Sequence, residues 1–174
     1  MFNEKVFYGK YSEYVDFLCK EQRHENENGI NLFDTKIELY YIAPLIGLKY
    51  GKKVQSADSM NERNKSTIQL QQIKNYEQEL IFSYRIVMLL DDKDNLSYEE
   101  RLDRAFRDDQ DQKKLEKNMK IFNQYVLGGI EYLYDYFSND YTKPTEKFNI
   151  SDKQNLLLDL MEFMDFDTDL YEEF

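Results

Sequence analysis

The chain has no tryptophan, one histidine, one cysteine, two prolines and six glycines in 174 residues. Each shortage removes a class of protein. The lone Cys19 rules out an internal disulfide and fits a reducing compartment. Two prolines and six glycines do not supply the turns of a many-stranded β-protein. One histidine and one cysteine cannot assemble the usual zinc ligand sets. Ser–His–Asp or Cys–His catalysis would have to run through His24, which stands in the polar run HENENG with nothing in the sequence to set a nucleophile against it. No apolar run approaches 18 residues, so no segment is read as a membrane span. No basic stretch followed by an apolar run opens the chain, so no signal peptide is read and a cytoplasmic protein is expected.

Other chemistries lack their motifs. Neither GxxxxGK[ST] nor GxGxxG occurs, so no phosphate-cradling loop is visible. Asp92-Lys93-Asp94 begins like a calcium loop, but Leu96 stands where a third ligand belongs and the turn glycine is missing. Asp108, Asp109 and Asp111 lie where carboxylates usually complement the dipole at a helix start. The sequence therefore assigns no catalytic residue, no metal and no cofactor.

Aromatic rings and acid are what the chain has in plenty. Twelve Phe and 15 Tyr make it too aromatic for a disordered protein. With tyrosine set aside, the apolar share is below the usual ~45–50%, so the interior must lean on amphipathic rings. The net charge of −11 is uneven. Residues 1–90 carry 12 basic and 12 acidic side chains, and residues 91–174 carry 11 and 22. An acidic surface disfavours nonspecific binding to duplex DNA and fits a basic protein partner, or imitation of nucleic acid.

Hydrophobic periodicity is helical throughout. In KKLEKNMKIFNQYVLGGIEYLYDYF, residues 113–137, apolar side chains recur at Leu115, Met119, Phe122, Val126, Ile130, Leu133 and Phe137, in steps of three and four. This longest amphipathic segment is read as the central helix. Gly128 and Gly129 sit in its middle at a cost of roughly 1 kcal/mol each against alanine. Such a cost calls for a close neighbour: either the 37–50 helix, with Gly47 as counterpart, or another subunit docking in the notch. Thr35 with Glu38, Ser97 with Glu100 and Ser151 with Gln154 form capping boxes. They start helices at about 37–50, after 97, with Tyr98, Leu102, Ala105 and Phe106 inward, and after 151. Pro44 should kink the first and Gly51 end it. Ser12 caps a helix to about Arg23, 66–90 reads as one long helix, and 1–11 as extended or irregular. The expected fold is all-α: a compact bundle of five to six helices around the central one. Residues 1–140 form its core domain, and 141–174 a linker, a C-terminal helix and an acidic-aromatic tail.

Two segments together resemble a known group. An apolar helix from Thr35 ends in Ile-Gly-Leu-Lys-Tyr-Gly51, and a later helix carries Ile121-Phe-Asn-Gln-Tyr-Val-Leu-Gly-Gly-Ile-Glu-Tyr-Leu133. In their order and glycine spacing they resemble the small accessory proteins of bacterial DNA phosphorothioation (Dnd) loci, and the similar small subunits that accompany SMC-like ATPases in Lamassu-type anti-phage systems. The likeness spans roughly residues 10–137 and departs at Leu127, where that group has asparagine. It implies a non-catalytic adaptor subunit of a multi-protein DNA-defence complex. Such a subunit binds an SMC-like ATPase or nuclease and meets DNA only through its partners.

On that reading the partner-binding residues are Tyr125, Gly128, Gly129, Tyr132 and Tyr136 of the central helix and Phe166, Leu170, Tyr171 and Phe174 of the tail. Lys49, Lys52, Lys53, Arg63 and Lys65 form the most basic neighbourhood, read as a solvated loop or as a small phosphate-facing patch. The alternative function is an acidic DNA mimic or inhibitor of a DNA-binding enzyme, which requires carboxylates spaced like phosphates along one face of residues 91–173.

Overall fold

The computed structural model describes residues 1–19, 32–55, 64–91 and 95–141, the side chains of 139–141 excepted. The described residues fold as β1 (Lys5–Tyr8), α1 (Lys10–Leu18), α2 (Lys36–Lys49), β2 (Lys65–Ile68), α3 (Leu70–Asn75), α4 (Glu77–Leu90), α5 (Tyr98–Phe106) and α6 (Gln112–Tyr141), with a short 3-10 turn at Asp108–Gln110. The protein is mostly helical, but it is not all-α. β1 and β2 pair antiparallel, with Lys5 opposite Ile68 and Tyr8 opposite Lys65.

The strands correct two readings. Residues 5–8, expected to be extended or irregular, are extended and pair as a strand, which the all-α reading did not include. The expected 66–90 helix begins only at Leu70 and breaks at Tyr76, where φ −116° and ψ 27° leave the helical range. Ser66, expected to start that helix, is not in one. It lies in β2 and its hydroxyl is spent inward: Lys36 Nζ donates to it at 2.5 Å, it donates to Asp16 at 3.0 Å, and Asp16 pairs with Lys36 at 3.1 Å. That triad ties β2 to α1 and α2. Ser12 likewise lies buried inside α1, which starts after Gly9, whose φ of +56° suits a residue without a side chain.

α6 runs for 30 residues, about 45 Å. Phe122, Val126, Ile130, Leu133 and Phe137 are buried along it, with Leu115 and Met119 packed at the edge of the core. Its start is capped by Asp111, whose carboxylate accepts from the backbone N–H of Lys113 at 2.9 Å and of Lys114 at 3.2 Å, while Asp108 pairs with Lys114 at 2.9 Å. At the thickest part of the core, the rings of Phe2, Tyr84 and Phe122 meet at centroid distances of 5.8–6.4 Å.

α2 makes the most extensive contact with α6, and glycines set how close it comes. A Cβ at Gly129 would overlap the Ala43 carbonyl, 2.6 Å from its carbon. At Gly128 it would overlap the Lys52 carbonyl, again 2.6 Å from the carbon. At Gly47 it would overlap the Tyr125 carbonyl and lie 3.1 Å from the Gly129 nitrogen. Two backbones thus touch where side chains would hold them apart. α2 ends in a Schellman turn: Lys52 N–H donates to Gly47 O at 2.8 Å and Gly51 N–H to Leu48 O at 3.1 Å, with Gly51 at φ +62°. The chain then runs along α6, with Val54 N–H donating to Gln124 O at 3.1 Å.

α5 is rotated from its expected orientation. Ala105 is buried, but Tyr98 and Phe106 are exposed, and Arg104 is buried in their stead. Its guanidinium donates to the Met88 carbonyl at 2.6 and 3.0 Å, to the Asp91 carbonyl at 2.8 Å and to the Asp91 carboxylate at 3.3 Å. Arg104 therefore seals the C-terminus of α4, where orphan carbonyls need donors, and this fixes which face of α5 points inward. The expected helix after Ser151, the His24 loop, Asp92-Lys93-Asp94 and the segment beyond Tyr141 lie outside the described residues.

Candidate protein-docking face

Beyond the glycine crossing, the C-terminal turn of α2 and the second half of α6 present a row of tyrosines. Tyr50 stacks on Tyr132 with centroids 3.9 Å apart and planes at 13°. Tyr132 and Tyr136 continue the row at 6.3 Å and 19°, and Tyr136 meets Phe137 edge-on at 4.9 Å. Tyr50 is 37% and Tyr136 47% exposed. Lysines brace the row: Lys52 pairs with Asp135 at 3.1 Å and lies 5.7 Å from the Tyr132 centroid, and Lys49 lies 5.5 Å from that of Tyr50.

Tyr134 is two residues, about 200°, around the helix from both Tyr132 and Tyr136, and it serves another contact. It stacks on Tyr14 at 3.7 Å and 15° and meets Phe17 edge-on. Nearby, Lys10 at 3.1 Å and the Tyr11 hydroxyl at 3.2 Å bind Glu131. Burial, and after it the Glu131 charge, pushes the Tyr11 phenol up, and burial does the same to Tyr14. Both stay neutral hydrogen-bond donors at physiological pH. α1 is clamped to α6 on a different side of the helix from the tyrosine row.

The structure divides the residues expected to bind a partner. Tyr132 and Tyr136 lie on the row. Gly128 and Gly129 do not form a notch for another subunit, because the space their missing side chains leave is filled by Lys52 and Ala43 of the same chain. Tyr125 is 2% exposed and works inside: its hydroxyl donates to Asp91 at 2.7 Å. Phe166, Leu170, Tyr171 and Phe174 lie outside the described residues.

The basic neighbourhood is divided too. Lys49 and Lys52 flank the tyrosines. Lys53 turns inward to Asp91 at 2.7 Å, its ammonium 4.8 Å from the Tyr125 centroid. Lys65 sits in β2 opposite Tyr8, and Arg63 lies outside the described residues. These lysines do not form one phosphate-facing patch.

Behind the face, Asp91 is the hub of a buried polar network. Burial alone would raise its carboxyl pKa. Hydrogen bonds from Lys53 and Tyr125, with the charges of Lys53 and Arg104, outweigh burial and hold it below the usual carboxylate range. Asn118 extends the network by donating to the Arg104 carbonyl at 3.4 Å. Sequence reasoning missed Asp91, Arg104 and Tyr50. All three act on partners more than ten residues away in sequence, which periodicity does not register.

Among the described residues, no group of three or more His, Cys, Asp or Glu side chains is placed to hold a metal ion, and no helix is long and apolar enough to cross a membrane. Comparison with protein-family models, with curated proteins and with solved structures finds no match to this chain.

Proposed function

We propose that this chain is a non-catalytic adaptor subunit of a bacterial, cytoplasmic anti-phage DNA-defence complex. It docks on an SMC-like ATPase or nuclease through the Tyr50–Tyr132–Tyr136 row and meets DNA only through that partner. The partner class comes from the resemblance of the 35–51 and 121–133 segments to Dnd-associated and Lamassu-type accessory proteins. The observation that carries the reading is the stack itself, three near-parallel rings on two chain segments locked together by backbone contact, with Tyr50 and Tyr136 exposed and Tyr132 half-buried between them. Tyrosine supplies large contact area at low entropic cost and is enriched among interface hot spots. Rings already held in place lose little further freedom on binding.

The DNA-mimic alternative needs a row of uncommitted carboxylates. Several acidic residues of 91–135 are instead matched with cations, Asp91 with Lys53 and Arg104, Asp103 with Arg107, Asp108 with Lys114, Glu131 with Lys10 and Asp135 with Lys52, and Glu100 and Asp111 are spent on helix caps. That favours the adaptor.

The test is copurification of the tagged chain expressed with its neighbouring genes. The adaptor reading expects an ATPase or nuclease encoded there to be recovered in stoichiometric amount, and to be lost with Tyr132→Ala plus Tyr136→Ala. Recovery of the chain alone as a stable monomer contradicts it.

A further inference from the structure

On the first half of α6, away from the tyrosine row, the N-terminal segment and α6 line an open cleft of about 550 Å³. That lies within the range of small-molecule sites, roughly 300–1,000 Å³. Lys5, Tyr40 and Asn123 form its polar end, Leu115 and Met119 an apolar wall, and Glu116 stands at the side.

Lys5 is the unusual member. Its ammonium donates to Asn123 Oδ1 at 2.5 Å and lies 5.4 Å from the Phe7 centroid and 5.7 Å from that of Tyr40. Among the described residues no carboxylate lies within ion-pair distance of it, although most other cations near the core have one. A desolvated ammonium with one neutral acceptor keeps two N–H donors unused, and such a charge is costly unless something pairs with it.

We propose that this cleft is a binding site for a small monocarboxylate with an apolar tail. The carboxylate pairs with Lys5 Nζ, and the tail lies along Leu115 and Met119. Glu4 and Glu116 in the walls, only partly offset by Lys120, disfavour a dianion such as phosphate. The site goes beyond the adaptor role and does not depend on it. The Asn123 side chain is a positioning residue: its Nδ2 donates to the Met119 carbonyl at 2.8 Å, which aims Oδ1 at Lys5.

The lysine also sets the expected pH behaviour. Burial lowers its pKa to about 8. Carboxylate binding needs both the ammonium and the ionised carboxylate, so affinity should be level from about pH 6 to about pH 8 and weaken about tenfold per pH unit above it.

The experiment is titration of the full chain with hexanoate, followed by calorimetry and by NMR of the lysine side chains, with hexanol and hexylamine as controls. The expected result is saturable hexanoate binding that shifts the Lys5 signal, at least tenfold weaker binding in Lys5→Met, and the stated loss above pH 8. Should Lys5→Met fail to fold, the pH profile of the unaltered chain decides alone. Absence of saturable binding, equal binding of hexanol, or an affinity unchanged from pH 7 to 10 would overturn the proposal.

Discussion

Tyr50 and Tyr132 lie ring on ring, 3.9 Å apart and within 13° of parallel, joining the last turn of α2 to α6 at the protein surface. Aromatic pairs of this kind contribute about 0.5–1.5 kcal/mol beyond the area they bury. A double-mutant cycle of Tyr50→Ala and Tyr132→Ala should give a coupling of about 1 kcal/mol in urea unfolding. Additive losses would mean that the rings touch without supporting each other.

The glycine crossing is the stronger constraint. At Gly128 and Gly129 an added methyl meets backbone, which cannot rotate away as a side chain can. Gly129→Ala and Gly128→Ala should each destabilise by about 3 kcal/mol, at the upper end for overpacking. A Gly→Ala change in an unobstructed helix interior would instead gain roughly 1 kcal/mol. The sign of the change in urea midpoint therefore separates close packing from a vacant notch.

Asp91→Asn removes the one carboxylate that faces both Lys53 and Arg104. Breaking a buried pair on one side costs about 3–5 kcal/mol, and a loss of that order should appear in thermal or urea unfolding. Asp91 has a folded pKa below its unfolded value, so its stabilisation is complete above about pH 4 and disappears as the pH falls through the lower, folded value. The difference in stability between the parent and Asp91→Asn should shrink in acid. A difference independent of pH would remove the charge from the explanation.

Lys5 has a linkage of the same sign, but here the charged form is the one that burial destabilises. Its folded pKa of about 8 is below the model-compound 10.5, so between those values the unfolded chain binds more protons and Lys5 favours folding increasingly as pH rises. Lys5→Met should be more stable than the parent at pH 7, and the gain should narrow from pH 8 to 10.5. A gain constant across that window would show that Lys5 is not desolvated.

Much of the helical frame was legible in the sequence, because local signals and tertiary packing agree there. The three-and-four spacing from Leu115 to Phe137 marked the buried face of α6. The Thr35–Glu38 and Ser97–Glu100 pairs marked helix starts, where Glu38 accepts from Asp34 N–H at 3.0 Å and Glu100 from Ser97 N–H at 2.8 Å. The glycine pair announced a close neighbour. What failed depended on distant partners. Ser66 reads as the first residue of a long helix until β2 takes it and Lys36 and Asp16 claim its hydroxyl. Phe106 reads as core until Arg104 takes the inward position on α5. The Tyr50–Tyr132 stack has no sequence signature, since the two rings are 82 residues apart and meet only because three glycines let α2 close on α6.

If the tyrosine row is the proposed docking face, Tyr136, 47% exposed, is the ring whose removal a partner should feel most. The measurement is the dissociation constant for the ATPase or nuclease partner with Tyr136→Ala, alongside the melting temperature. The expected result is a loss of about 2 kcal/mol, roughly 30-fold in affinity, in a variant that stays folded with its melting temperature lowered by only a few degrees. An affinity within twofold of the parent in a fully folded variant would contradict it.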